Sequence, residues 1–175
     1  HYRSGQFSTA ETAFRKILSL NPRHAGALHY LGAIAGRYQK TDQAIILLKM
    51  ALEIDSSDAD ARNTLGLLYL SEKKLDLAIE NFKAATELKP NFLDAWICLS
   101  GAYLESRQLE NSERASLRAL EIDPVSLDAR QNLATKYFFE KDYQRAIKCY
   151  DKIVQALPND VSLLLNYAAV LGLNG

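Results

Sequence analysis

The sequence predicts an all-α fold of stacked antiparallel helix-turn-helix hairpins. Three observations predict it: regularly spaced prolines, columns of small and large residues that repeat with them, and helical spacing of the apolar side chains in between. Pro22, Pro90, Pro124 and Pro158 lie 68, 34 and 34 residues apart, and Ser56 occupies the missing site. A fixed period of this length is the mark of a repeat array, in which each unit covers the apolar edge of its neighbour. Alignment on these sites divides the chain into a partial unit 1–24, full units 25–58, 59–92, 93–126 and 127–160, and a partial unit 161–175.

Each unit reads as two helices. Apolar sites at positions four, seven, eight and eleven follow the helical period, and so do those at twenty, twenty-four and twenty-seven. Position seven is Leu31, Leu65, Leu99, Leu133 and Tyr167, and position eight is the small series Gly32, Gly66, Ser100, Ala134 and Ala168. Position twenty is again small (Ala10, Ala44, Ala78, Ser112, Ala146), while position twenty-four is large in Phe14, Leu48, Phe82 and Tyr150. Large side chains therefore meet small ones across each hairpin. Polar links such as Gln39-Lys40-Thr41-Asp42 and Lys73-Lys74-Leu75-Asp76 join the two helices, and the proline sites end the second helix. Residues 1–24 supply mostly a second helix and 161–175 a first helix. Asp60, Asp94 and Asp128, at position two, place a carboxylate where a helix start offers backbone donors and a positive dipole end.

This pattern resembles the tetratricopeptide repeat family across essentially the whole chain. The second unit carries the family's signature most fully, in Leu65-Gly66, Tyr69, Ala78, Phe82, Ala85 and Pro90. The resemblance implies an α-solenoid, a right-handed superhelix whose first helices line a concave face. The chain departs from the pattern at Arg62 and Arg130 on the fourth position, at Ser56, and at Ser116, which leaves the third unit without its large side chain.

Composition narrows the function. Twenty-one basic residues balance 21 acidic ones, so no net field draws the chain to nucleic acid or an anionic membrane. The apolar run 161–173 is too short to span a bilayer. Cys98 and Cys149 fit no metal or redox spacing, consistent with a reduced, cytoplasmic setting. The histidines are His1, His24 and His29, of which the last two read as exposed loop and helix-start residues and do not share a helical face. Phosphate-binding glycine loops, zinc-binding helix motifs and nucleophile elbows are missing from the sequence. The expectation is a non-catalytic protein with no cofactor and no metal.

The family geometry places positions two, five, six, nine, twelve and thirteen on the concave face, and these columns vary between units. The expected partner groove comprises Asn63, Leu67, Leu70, Ile97, Gly101, Leu104, Gln131, Asn132, Thr135, Phe138 and Asn166. Apolar side chains with amide edges suit a peptide or protein segment, the amides gripping its backbone. Arg37 stands at position thirteen, but position five has no Lys and position nine no Asn, so the family's clamp for a terminal carboxylate is not expected. Two alternatives are carried. In one the array is the recognition arm of a larger enzyme, since 88–96 and the pair Asn132 and Asn166 resemble arrays of O-linked glycosyltransferases. In the other it is a homo-oligomeric module that associates through exposed terminal helices.

Overall fold

The computed structural model describes the backbone of residues 2–174 and the side chains of residues 9–174; His1 and Gly175 lie outside the described residues. The described residues form ten helices and no strand: α1 (Tyr2–Leu20), α2 (Ala25–Arg37), α3 (Thr41–Ile54), α4 (Ala59–Ser71), α5 (Leu75–Leu88), α6 (Leu93–Glu105), α7 (Leu109–Ile122), α8 (Leu127–Phe139), α9 (Tyr143–Ala156) and α10 (Val161–Asn174). First helices begin at Ala25, Ala59, Leu93, Leu127 and Val161, the 34-residue period made visible. The chain clusters into two compact units, one ending at Pro90 and one starting at Asn91.

In the first unit α2 pairs with α3 and α4 with α5, while α1 packs on α2 and α3 on α4. In the second α6 pairs with α7 and α8 with α9, while α7 packs on α8 and α9 on α10. The small-to-large fit across hairpins is tight. A Cβ added at Gly32 would lie 2.8 Å from Leu48 Cγ, and one at Gly66 would lie 2.6 Å from Phe82 Cε1, so these glycines let the paired helices approach. The third hairpin solves the same problem with hydroxyls. Ser100, Ser112 and Ser116 are fully buried, and Ser100 Oγ lies 2.9 Å from Ser112 Oγ and 2.6 Å from Ser116 Oγ. Burial of a hydroxyl is tolerable only when it is bonded in this way.

Each hairpin turn is built alike. Gln39, Lys73, Arg107 and Lys141, all at position fifteen, adopt φ of 59°, 59°, 60° and 61°. They close the first helices with paired hydrogen bonds, for example from Lys73 N–H to the Leu70 carbonyl and from Lys74 N–H to the Tyr69 carbonyl. This is the left-handed helix stop that glycine favours. Four of the five first helices are capped from position thirty-four: His24 Nδ1, Asp58 Oδ1, Ser126 Oγ and Asp160 Oδ1 accept from the N–H groups of Ala27, Ala61, Ala129 and Leu163, whereas Phe92 before α6 has no such side chain. The aspartates at position two therefore do not make the cap hydrogen bond. They sit inside the first turn of their helices, near the positive dipole end, and Asp60 also lies 3.7 Å from Lys89 Nζ. At the site where Ser56 replaces proline, Asp55 Oδ1 accepts from both the N–H and the hydroxyl of Ser57, and the bend forms without the ring.

Candidate functional site

The expected groove residues fall into two groups, one in each unit. In the first unit α4 carries Asn63, Leu67 and Leu70. Leu67 is exposed and Leu70 half-buried, but Asn63 is buried, and its Oδ1 has no hydrogen-bond partner among the described residues. Its counterpart at position five of α2 is His29. This histidine, expected to be exposed, is 9% exposed, stacks on Tyr30 at 3° between ring planes, and lies 2.9 Å from Asp58 Oδ2 through Nδ1. Asp58 is the cap of α4, so one carboxylate serves both a helix start and the preceding first helix. Position five of α2 is thus occupied with internal bonding.

Position five of α6 and α8 is more open. Ile97 is half-buried, and Gln131 is exposed beside Asn132, whose Nδ2 donates to the Ile97 carbonyl at 3.1 Å. That bond ties α8 to α6 one repeat away. Thr135 Oγ1 donates to the Gln131 carbonyl at 2.9 Å, and Asn166 is exposed on α10. A Cβ on Gly101 would meet nothing within 4 Å, so open space lies in front of it. Phe138 is 36% exposed and packs edgewise near Phe139 and Tyr143, whereas Leu104 is 7% exposed and belongs to the packing of α6.

A cavity of about 450 Å³ opens where these first helices begin, lined by Asp94, Ile97, Val125, Asp128, Gln131 and Leu157 among others. Sequence reading placed Ile97 and Gln131 among the groove residues, and gave Asp94 and Asp128, on the same face at position two, mainly a helix-start role. Their position-two spacing carries the signal, because it sets them one turn before position five on the same helix face. Burial first, then the Asp94 and Asp128 carboxylates, push the Cys98 thiol up to about 11. Burial likewise raises Cys149, so both cysteines stay in the unreactive thiol form at neutral pH. The described residues include no group of three or more His, Cys, Asp or Glu arranged to hold a metal ion. None of the described helices is long and apolar enough to cross a membrane.

Two-helix units recurring in unbroken register define an all-α solenoid of helical hairpins. Tetratricopeptide repeat models match residues 1–59 in one case and residues 59–92 and 127–160 in the other. The chain belongs to the tetratricopeptide repeat superfamily, a class of protein-interaction scaffolds. No curated protein sequence matches it. Among solved structures, MamA is similar over 92% of this chain and 94% of its own, with a TM-score of 0.81 at 22% identity. YrrB, described as a TPR protein with an unusual peptide-binding site, has a TM-score of 0.79 at 20% identity over 93% of this chain and 84% of its own. PilF of Pseudomonas aeruginosa reaches 0.85 at 20% identity, covering 97% of this chain and 77% of its own. At these identities the likeness is one of fold.

Proposed function

We propose that the chain is a non-catalytic scaffold that holds a peptide or protein segment on its first helices α6 and α8. The observation that carries this reading is the cavity shared by Ile97 and Gln131, edged by Asp94 and Asp128. Apolar surface beside two carboxylates suits a segment that presents an aliphatic or aromatic side chain next to a Lys or Arg. Gln131 and the Oδ1 of Asn132 supply amide chemistry for the segment's backbone. The peptide-binding site attributed to YrrB supports the class of ligand.

A labelled peptide selected from a random library tests the reading by fluorescence anisotropy. Gln131→Ala and Asp128→Asn are each expected to weaken binding about tenfold, since a few central residues carry most interface energy. Added salt should weaken binding in the parent more than in Asp128→Asn. Unchanged affinity in both variants removes this face from the function. Leu104 is unsuitable for such a test, because a charge there would disturb the packing of α6.

Self-association is a second reading, favoured by α10, where Val161, Leu165 and Leu173 are 69%, 66% and 54% exposed. Sedimentation velocity over a range of concentrations decides it. A single monomeric species throughout would end that reading.

A further inference from the structure

Position eleven is Tyr69, Tyr103 and Tyr137 in the second, third and fourth units, but Ala35 in the first. Tyr137 shows how the ring is used. It projects from α8 and bridges α7 and α9: its hydroxyl donates to Glu113 Oε1 at 2.8 Å, and the Arg145 guanidinium lies 4.5 Å from the ring centroid. Around Ala35 the corresponding space, framed by α1, α2 and α3, is a cavity of about 360 Å³. Its walls include Leu18, Leu31, Ile34 and Leu47, and its edge includes Glu11 and Arg15.

Glu11 occupies position twenty-one, the position that Glu113 occupies beside Tyr137. Arg15 donates to Glu11 Oε1 from Nε at 3.1 Å and from Nη2 at 2.8 Å, which fixes the carboxylate at the cavity edge. The first unit thus keeps the apolar walls and the acceptor of a tyrosine site and lacks the tyrosine. A cavity of this volume sits at the small end of the range for ligand sites, roughly 300 to 1,000 Å³.

We propose that this cavity is a binding site for a phenol ring, supplied by a tyrosine side chain of a partner protein. The ring replaces the missing position-eleven side chain against Leu31, Ile34 and Leu47, and its hydroxyl donates to the Glu11 carboxylate as that of Tyr137 does to Glu113. A phenol satisfies both halves of the site, because its body is apolar and its one strong donor meets a charged acceptor. A phenyl ring leaves the carboxylate without that donor. The site is built by α1, α2 and α3 and shares no residue with the cavity at Ile97 and Gln131 proposed above.

Titration of the whole protein with N-acetyltyrosinamide, N-acetylphenylalaninamide and p-cresol, followed by methyl proton–carbon correlation spectra, tests this. The tyrosine amide and p-cresol should shift Leu18, Leu31, Ile34 and Leu47 saturably, and the phenylalanine amide should bind about tenfold more weakly. Ala35→Tyr should abolish the shifts and raise the melting temperature by filling the space. Glu11→Gln, at a partly exposed position that tolerates exchange, should weaken the tyrosine amide about tenfold and leave the phenylalanine amide unchanged. Absence of saturable shifts, equal affinity for the two amides, or undiminished binding by a folded Ala35→Tyr overturns the proposal. Binding of p-cresol without the tyrosine amide overturns the assignment to a protein side chain.

Discussion

Glycine substitutions in this chain change sign with position, and the structure says where. At Gly66 a new Cβ would fall 2.6 and 2.7 Å from two ring carbons of Phe82, a side chain that is itself fully buried. At Gly101 the same atom would meet nothing within 4 Å. Alanine is worth roughly 0.5–1 kcal/mol over glycine inside a helix, while overpacking a core costs about 1–3 kcal/mol. Gly101→Ala is therefore expected to stabilise by about 0.5–1 kcal/mol. Gly66→Ala is expected to destabilise by about 1–2 kcal/mol once the two effects are set against each other. Urea unfolding of the two variants beside the parent measures both, and a stabilised Gly66→Ala would show that Phe82 yields more readily than its burial implies.

Among the elements, the seam between α7 and α8 differs from the others in kind. Position ten is Ile34, Leu68, Ala102 and Val170 elsewhere but Lys136 here, and position twenty-one is Ile45, Ile79 and Ile147 elsewhere in the full units but Glu113 here. Lys136 is 3% exposed, with Nζ 2.5 Å from Glu113 Oε2 and 2.8 Å from Glu140 Oε2. Desolvation pulls the Lys136 pKa down, yet hydrogen bonds to Glu113 and Glu140 outweigh it and hold the pKa above 10.5. Desolvation pushes Glu113 up, but hydrogen bonds from Lys136 and Tyr137 hold it below 4.5. A depressed carboxyl contributes stability that is present above its unfolded pKa and lost as pH falls through its folded one; the raised lysine contributes below 10.5 and loses its contribution above its folded pKa. Glu113→Gln should consequently cost about 1–3 kcal/mol at neutral pH, the effect of removing a hydrogen bond to a charged group. The gap from the parent should close as pH drops below 4.5. An identical gap at pH values on both sides of that point would mean that the charge on Glu113 does not matter to the seam.

Taken across the whole chain, the period and the packing columns were legible because every hairpin must meet the same geometric demand. Pro22, Pro90, Pro124 and Pro158 mark it without any knowledge of partners. The turn at position fifteen was not legible, since Gln39, Lys73, Arg107 and Lys141 carry none of the glycine signal that usually announces positive φ. Lys136 was hidden for a related reason: a lysine in an apolar column reads as surface until Glu113, in the neighbouring unit, is set opposite it. Among the candidate site residues, the helix positions were legible but not their exposure, which depends on bonds such as that of His29 to Asp58 and on the burial of Leu104.

Stability in a repeat chain is a local property that varies from hairpin to hairpin. The α4–α5 hairpin closes on Phe82, and the α6–α7 hairpin closes on Ser100, Ser112 and Ser116. Replacing a large buried aromatic ring by a small side chain typically removes about 3–5 kcal/mol, and the two hydrogen bonds of Ser100 to the other hydroxyls, about 1 kcal/mol each, recover only part of it. Native-state amide exchange should therefore find the slowest amides of α6 and α7 at least about tenfold less protected than those of α4 and α5. Ser116→Ala should widen that difference, because it leaves Ser100 with one hydroxyl partner fewer in a site closed to water. Equal protection in the two hairpins would mean that the serine cluster is as strong a closure as the phenylalanine ring.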